Sequence, residues 1–314
     1  MDIKVKIIYL DWNVINHLHD GILPIELKNL LISLQEERKI ICPYTAEHLS
    51  ELYRDSDSIQ DSEHRILALI KTLSEITKNI LWYFDYRDNN YYFKKIHPYQ
   101  YYLNQKEEKE EYGFSIRFLY RLIFYFMKFQ TIKFTRIISK QSRIKFKDIH
   151  IKTIYDPNNP IGSLMLITRN LTEINTRAFE LQRNKLNLCP KELNSLVGDE
   201  LIKKINDEIG KWTKTHDFNS IVDSSLQYQK GGQFYKEAGL NTFLEMMGYH
   251  KDKKSITIES KLSDSNHLIF GLKAHTFITH DKRLFNRALQ IANMEDLTTK
   301  VIWAKDAINY LESI

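Results

Sequence analysis

Val5-Lys6-Ile7-Ile8-Tyr9-Leu10-Asp11-Trp12-Asn13 is a short, apolar, largely β-branched run closed by an acid and two turn-compatible residues. Such a run has the length of a buried strand and not of a helix, so residues 3–10 are expected to be one. Asp11-Trp12-Asn13 is expected to break it. Further on, Ile25 to Leu34 carries Leu27, Leu30, Leu31 and Leu34 at helical spacing, and Lys39 to Cys42 is a second short strand. Strand, helix, strand in this order is the signature of an α/β fold.

The pattern continues with a helix from Tyr44 to Tyr53, Thr45 standing at its N-cap position. An apolar stripe of Ile66, Leu67, Ile70, Leu73 and Ile76 follows, and Ile80 to Phe84 is a third candidate strand. After Asp85 the chain becomes Tyr-rich and polar to about Tyr112, then basic and aromatic to about Lys152. Tyr155-Asp156-Pro157-Asn158-Asn159-Pro160-Ile161-Gly162 has the density of a linker. Leu164 to Leu186, Glu192 to Trp212 and Glu237 to Met247 read as helices, with Leu201, Ile202, Ile205 and Ile209 on one apolar face. From about Ile256 the α/β signature returns: helix Asp264–Ala274, strand Thr276–Thr279, helix Arg283–Asn293, strand Val301–Trp303 and helix Asp306–Leu311. The expected organisation is an α/β domain in two parts, residues 1–84 and 255–314, interrupted by a large, mostly helical insertion over 85–254.

Of the 314 residues, 43% are hydrophobic and 12% aromatic, enough for a sizeable core and unlike a disordered chain. Cys42 and Cys189 are the only cysteines and form no CxxC, which argues against zinc ribbons, redox motifs and disulfide scaffolds. A reducing, cytoplasmic setting is expected. The N-terminus lacks the pattern of a signal peptide, and no apolar run reaches the roughly 18–20 residues that span a bilayer, so no membrane partner is expected. The formal net charge of +5 permits a polyanionic partner without demanding one.

Four carboxylates stand where elements change. Asp11 follows the first strand. Glu51 lies on the helix after Ile40-Ile41-Cys42-Pro43. Asp264 opens Ser263-Asp264-Ser265-Asn266-His267-Leu268-Ile269, and Asp281 follows His275-Thr276-Phe277-Ile278-Thr279. Ligand sites of open α/β sheets gather outside the carboxyl ends of the strands. Clustered carboxylates repel unless a cation neutralises them, and an oxygen-only donor set suits Mg2+ or Mn2+. Such ions assist phosphodiester hydrolysis. The structural roles available to the same residues are an Asx turn for Asp11 and helix caps for Asp264 and Asp281. Glu47 lies one turn before Glu51 on the same face and could replace it. His48 and His267 each share a helix face with an acid, as packing groups, as supports of the site or as phosphate contacts. A di-iron site in a helical bundle is disfavoured, because Asp11 and Asp281 follow strands.

Ile8-Tyr9-Leu10-Asp11-Trp12-Asn13-Val14-Ile15, Pro43-Tyr44-Thr45-Ala46-Glu47-His48-Leu49-Ser50-Glu51-Leu52, and Asp264-Ser265-Asn266-His267 through Phe277-Ile278-Thr279-His280-Asp281-Lys282-Arg283-Leu284 together resemble the PIN domain nucleases. In that family a first Asp follows strand one, a Glu lies on the next helical region, and two further Asp flank the last helix–strand pair. Asp11, Glu51, Asp264 and Asp281 match these positions in turn, and Asn13 and Thr279 match polar residues that support the site. The resemblance implies a Rossmann-like fold with a central parallel sheet and Mg2+- or Mn2+-dependent cleavage, most often of RNA. It covers the two end segments, less than half of the chain, and leaves the middle without a counterpart.

Within that middle, Arg117, Arg121, Lys128, Lys133, Arg136, Lys140, Arg143, Lys145, Lys147 and Lys152 are opposed only by Asp148, with aromatics interleaved. Neutralised phosphates and stacked bases hold unpaired nucleic acid in this way. An amphipathic helix with a solvated basic face and a Phe118, Leu122, Phe126, Phe129 core stripe accounts for the same residues. The expected function is therefore a metal-dependent endoribonuclease whose insertion binds or selects RNA, with DNA as the other substrate class. Its rivals are a silent PIN-like RNA-binding protein and an effector nuclease, toxin or phage-defence, held by a regulatory protein partner.

Overall fold

In the computed structural model of the chain, residues 5–56, 62–85, 87–104, 180, 183–211, 232–251 and 258–314 are described. The chain divides into two compact units, Met1–Tyr102 with Arg183–Asp252 and Leu262–Ile314, and Leu103–Gln182 with Lys253–Lys261. All side-chain interactions below lie in the first. The ten basic positions from Arg117 to Lys152 and most of the helix expected over Leu164–Leu186 lie outside the described residues.

The first unit is mixed α/β around a parallel sheet of four strands in the order β2-β1-β5-β6. β1 (Lys6–Leu10) pairs with β2 (Ile40–Ile41) on one side and β5 (Thr276–Thr279) on the other, and β5 pairs with β6 (Lys300–Trp303). The registers Leu10↔Ile278 and Thr279↔Trp303 bring the carboxyl ends of three strands to one edge. After β1 the chain runs through α1 (Trp12–His19) and α2 (Ile25–Glu36) to β2; after β5 it runs through α9 (Lys282–Met294) to β6. The two crossovers depart in opposite directions from adjacent strands. The gap between β1 and β5 is thus the switch point at which open α/β sheets hold ligands.

α1 was not expected, because Asp11-Trp12-Asn13 reads as a break. Asp11 instead caps the helix, and Val14, Ile15 and Leu18 bury its inner face. α3 (Ala46–Ser56) and α4 (Ser62–Thr77) follow where their apolar spacing placed them. The third strand forms, as β3 (Ile80–Asp85), but outside the parallel sheet. It pairs antiparallel with β4 (Asn90–Lys95) in a separate hairpin. The hairpin is stitched to the body through Tyr44, which donates to Ile80 O at 2.8 Å and accepts from Trp82 N at 2.7 Å.

The compact unit extends past the boundaries expected at 84 and 255. The helix expected over Glu192–Trp212 is two, α5 (Pro190–Leu193) and α6 (Gly198–Gly210), the second beginning at a glycine with φ +59°. Leu201, Ile205 and Ile209 of α6 join Leu240, Leu244 and Met247 of α7 (Gly232–Met247) in one core with Tyr9, Leu268, Phe277 and Leu284. Each such side chain contributes roughly 1.5–3 kcal/mol when fully buried. The described residues of α6 and α7 are therefore bound to the sheet by the same core.

α8 (Ile258–Lys273) begins six residues before Asp264, which corrects the expectation of a helix opening at that residue. Gly271 lets it approach the sheet: a Cβ there would lie 2.5 Å from the Phe277 ring. A 3-10 turn (Ala304–Asp306) and α10 (Ala307–Leu311) end the chain. No described helix is long and apolar enough to cross a membrane.

Candidate functional site

Asp11 sits at the carboxyl end of β1, 1% exposed. Its Oδ1 accepts from the Val14 amide at 2.8 Å, and its Oδ2 accepts from the Thr279 hydroxyl. When Asp11 is ionised it can only accept, so the Thr279 hydroxyl donates to it while taking the Asp281 amide proton on a lone pair at 3.1 Å. Thr279 is fully buried at the end of β5 and thus joins the two strand ends through one hydroxyl. Burial pushes the Asp11 carboxyl up to about 7, against the hydrogen bonds from Thr279 and Val14; the charges of Asp281 and Asp264 push in the same direction. Asp11 therefore lies close enough to Asp264 and Asp281 to respond to the charge of each.

A cavity of about 80 Å³ opens beside Asp11, lined by Asp11, Trp12, Asn13, Glu51, Asp264, His267 and Leu284. Glu51, 6% exposed on α3, accepts a hydrogen bond from Ser263. Glu47, its alternative one turn earlier, does not line the cavity. Asp264 enters from the second turn of α8, half-exposed, and does not cap that helix. Asn13 enters from the first turn of α1. Asp281 does not line the cavity. It caps α9, accepting from the Arg283 amide at 2.7 Å and the Leu284 amide at 3.1 Å, with the Arg283 guanidinium 3.5 Å away. The cap role and proximity to Asp11 coexist.

Beneath the carboxylates lies a buried imidazole layer. His48, 1% exposed, contacts Leu10 O through Nε2 at 2.9 Å; since a carbonyl only accepts, the proton is on Nε2. Nδ1 is then an acceptor and takes the Thr45 amide proton at 3.1 Å, the return arm of a capping box at the start of α3. Burial lowers the His48 pKa to about 4, so the ring is neutral and pins the peptide that carries Asp11. The Tyr9 hydroxyl lies 2.8 Å from His267 Nδ1 and 3.0 Å from Thr45 Oγ1. The His48 and His267 rings meet edge to face at 4.8 Å. Of the two histidines expected to support the site, His267 reaches the cavity wall and His48 stays below it.

Tyr9 and Ser263 were missed. Tyr9 is hidden in an apolar run, where only alternation hints that its hydroxyl turns inward with the helices. Ser263 reads as a cap in Ser-Asp and proves to be the partner of Glu51; its spacing of four from His267 on one helix face is the signal available.

The donor set is oxygen-rich and carries more negative charge than the described cations at the cavity offset, which fits a hard divalent cation in type and charge. Among the described residues, no three acid, histidine or cysteine side chains already converge on one point at ligand distance. Comparison of the chain with family models, with curated proteins and with solved structures gives no match.

Proposed function

We propose that the chain is a Mg2+- or Mn2+-dependent endonuclease of PIN-like type, acting on RNA. The observation that carries the reading is Asp11: a buried carboxylate at the switch point of a parallel sheet, sharing its cavity with Glu51 and Asp264 and feeling the charge of Asp281. The order of the four acids along the chain is that of the PIN domain nucleases.

In this reading Asp11, Glu51 and Asp264 hold the ion, with Asp281 beside them. When bound, it would neutralise the carboxylates, polarise a phosphate oxygen and lower the pKa of water at neutral pH. The chain's own residues prepare for that. Thr279 and the Val14 amide fix both oxygens of Asp11 and leave each a lone pair free for a cation. Ser263 holds one oxygen of Glu51 in the same way. Trp12 and Leu284 wall the cavity, which lowers the local dielectric and strengthens every charge interaction inside it.

The test is cleavage of labelled single-stranded RNA, structured RNA and DNA with Mn2+, Mg2+ or EDTA, comparing wild type with Asp11→Asn. Metal-dependent cutting by wild type alone supports the reading. Cutting that persists in Asp11→Asn sinks it. The rival reading is an RNA-binding protein that does not cut. It predicts binding to RNA with no cleavage in any metal.

A further inference from the structure

Thr279 and His280 are neighbours with opposite orientations, as strand alternation requires. Thr279 faces Asp11. His280 faces away, toward His17 of α1 and Trp303 at the end of β6. The two imidazoles meet edge to face with centroids 4.7 Å apart and their Nδ1 atoms 2.5 Å apart. One ring must donate Nδ1–H and the other accept. The accepting ring then carries its proton on Nε2, directed away from the pair. At least one N–H donor is thus offered outward.

Trp303 is half-buried, its indole 4.9 Å from the His280 ring and 5.9 Å from Phe285. Lys305, two residues on, is exposed, and its charge acts on His280. Among the described residues, no carboxylate forms an ion pair with Lys305, His17 or His280. Asp281 is engaged with the first amides of α9, and Asp306 stands exposed next to Lys305. The result is a set of hydrogen-bond donors, an unneutralised cation and an aromatic face at the same sheet edge as Asp11, with His280 next in sequence to the Thr279 that holds Asp11.

We propose that His17, His280, Trp303 and Lys305 form a nucleotide platform beside the acidic cavity, Trp303 stacking an unpaired base while Lys305 and the imidazole pair take the adjoining phosphate. This rests on the nuclease reading and narrows its substrate to single-stranded nucleic acid, because a base stacks on a side chain only when it is out of the duplex. It also gives the strand a direction of approach, across the β6 side of the sheet edge.

The test is binding in EDTA, so that nothing is cut, of a short fluorescein-labelled oligouridylate read by anisotropy, with duplex RNA as control. Trp303→Leu is expected to weaken the single-strand complex roughly tenfold and to leave the duplex control unchanged. Lys305→Gln, at an exposed position that threatens no packing, is expected to weaken it about threefold and to lower the salt dependence by about one phosphate contact. Tryptophan fluorescence of the wild type is expected to be quenched on binding, and this quench to shrink in Trp303→Phe. If the wild type binds and both variants bind equally well with equal salt dependence, the platform is refuted and the nuclease reading stands. If the wild type neither binds nor cuts any oligonucleotide, both fall.

Discussion

Asp11 and His48 lie one peptide apart in space, both almost wholly buried, and burial drives both to neutrality by opposite routes. The acid is pushed up to about 7 and the imidazole down to about 4. The difference lies in what surrounds them. His48 is sealed between Leu10 O and Thr45, with both ring nitrogens used. Asp11 opens onto a cavity lined by two more acids. A neutral ring in a closed layer is scaffolding; an acid that is costly to ionise beside an open space is a place where a cation is stabilising.

The strongest way to break this comparison is Asp11→Asn. Activity is expected to fall roughly a thousandfold or more, the scale of several kcal/mol at a metal-assisted centre. Above pH 7 the metal-free variant is expected to be more stable than wild type, by up to ~4 kcal/mol, because no buried charge has to form. Mn2+ is expected to raise the Tm of wild type and not of the variant. An Mn2+ shift of equal size in both would refute the assignment.

The pH dependence separates the two groups by sign. Between about pH 4 and 7 the native state keeps the Asp11 proton that the unfolded chain has lost, so this group makes stability fall as pH rises. Between about 4 and 6.5 the unfolded chain holds a proton that His48 refuses, so this group makes stability rise. In wild type the slopes oppose. His48→Gln should expose the falling limb and Asp11→Asn the rising one, each by about 1.4 kcal/mol per pH unit at most, measured by denaturant titration. Parallel curves for the three proteins would contradict this picture.

Smaller effects test the supports. Thr279→Val keeps the shape but strips the hydroxyl from between Asp11 and the Asp281 amide. It is expected to cost about 1–3 kcal/mol, with Thr279→Ser restoring most of it. Ser263→Ala is expected to cost about 1 kcal/mol of stability and weaken Mn2+ binding about tenfold, measured by calorimetry.

What could be read from the chain follows from what each residue advertises. The apolar run before Asp11 and the short one before Asp281 announced strands, and the two pair in parallel with an acid just beyond each. Asp264 misled because Ser-Asp is a capping pair, whereas the helix had started two turns earlier across Ile258–Ser263, which has little apolar periodicity of its own. The stripe Leu201, Ile205, Ile209 announced a helix but not its partner, so its union with the sheet core was invisible. Glu51 and Glu47 share a helix face, and only the direction of the cavity separates them. The buried Tyr9–Thr45–His48–His267 layer draws on residues up to 258 positions apart, a proximity that no local pattern carries.

Gly271 sets a dimension. Its lack of a side chain lets α8 rest on the Phe277 ring, and the same helix brings Asp264 and His267 to the cavity. Across that cavity stands Asp11, tied to Thr279 two residues beyond Phe277. The spacing between the acids on the helix and the acid on the sheet is therefore gauged by an absent methyl group. A Gly271→Ala chain would keep every acid and every hydrogen-bonding group of the site, yet hold its two jaws further apart.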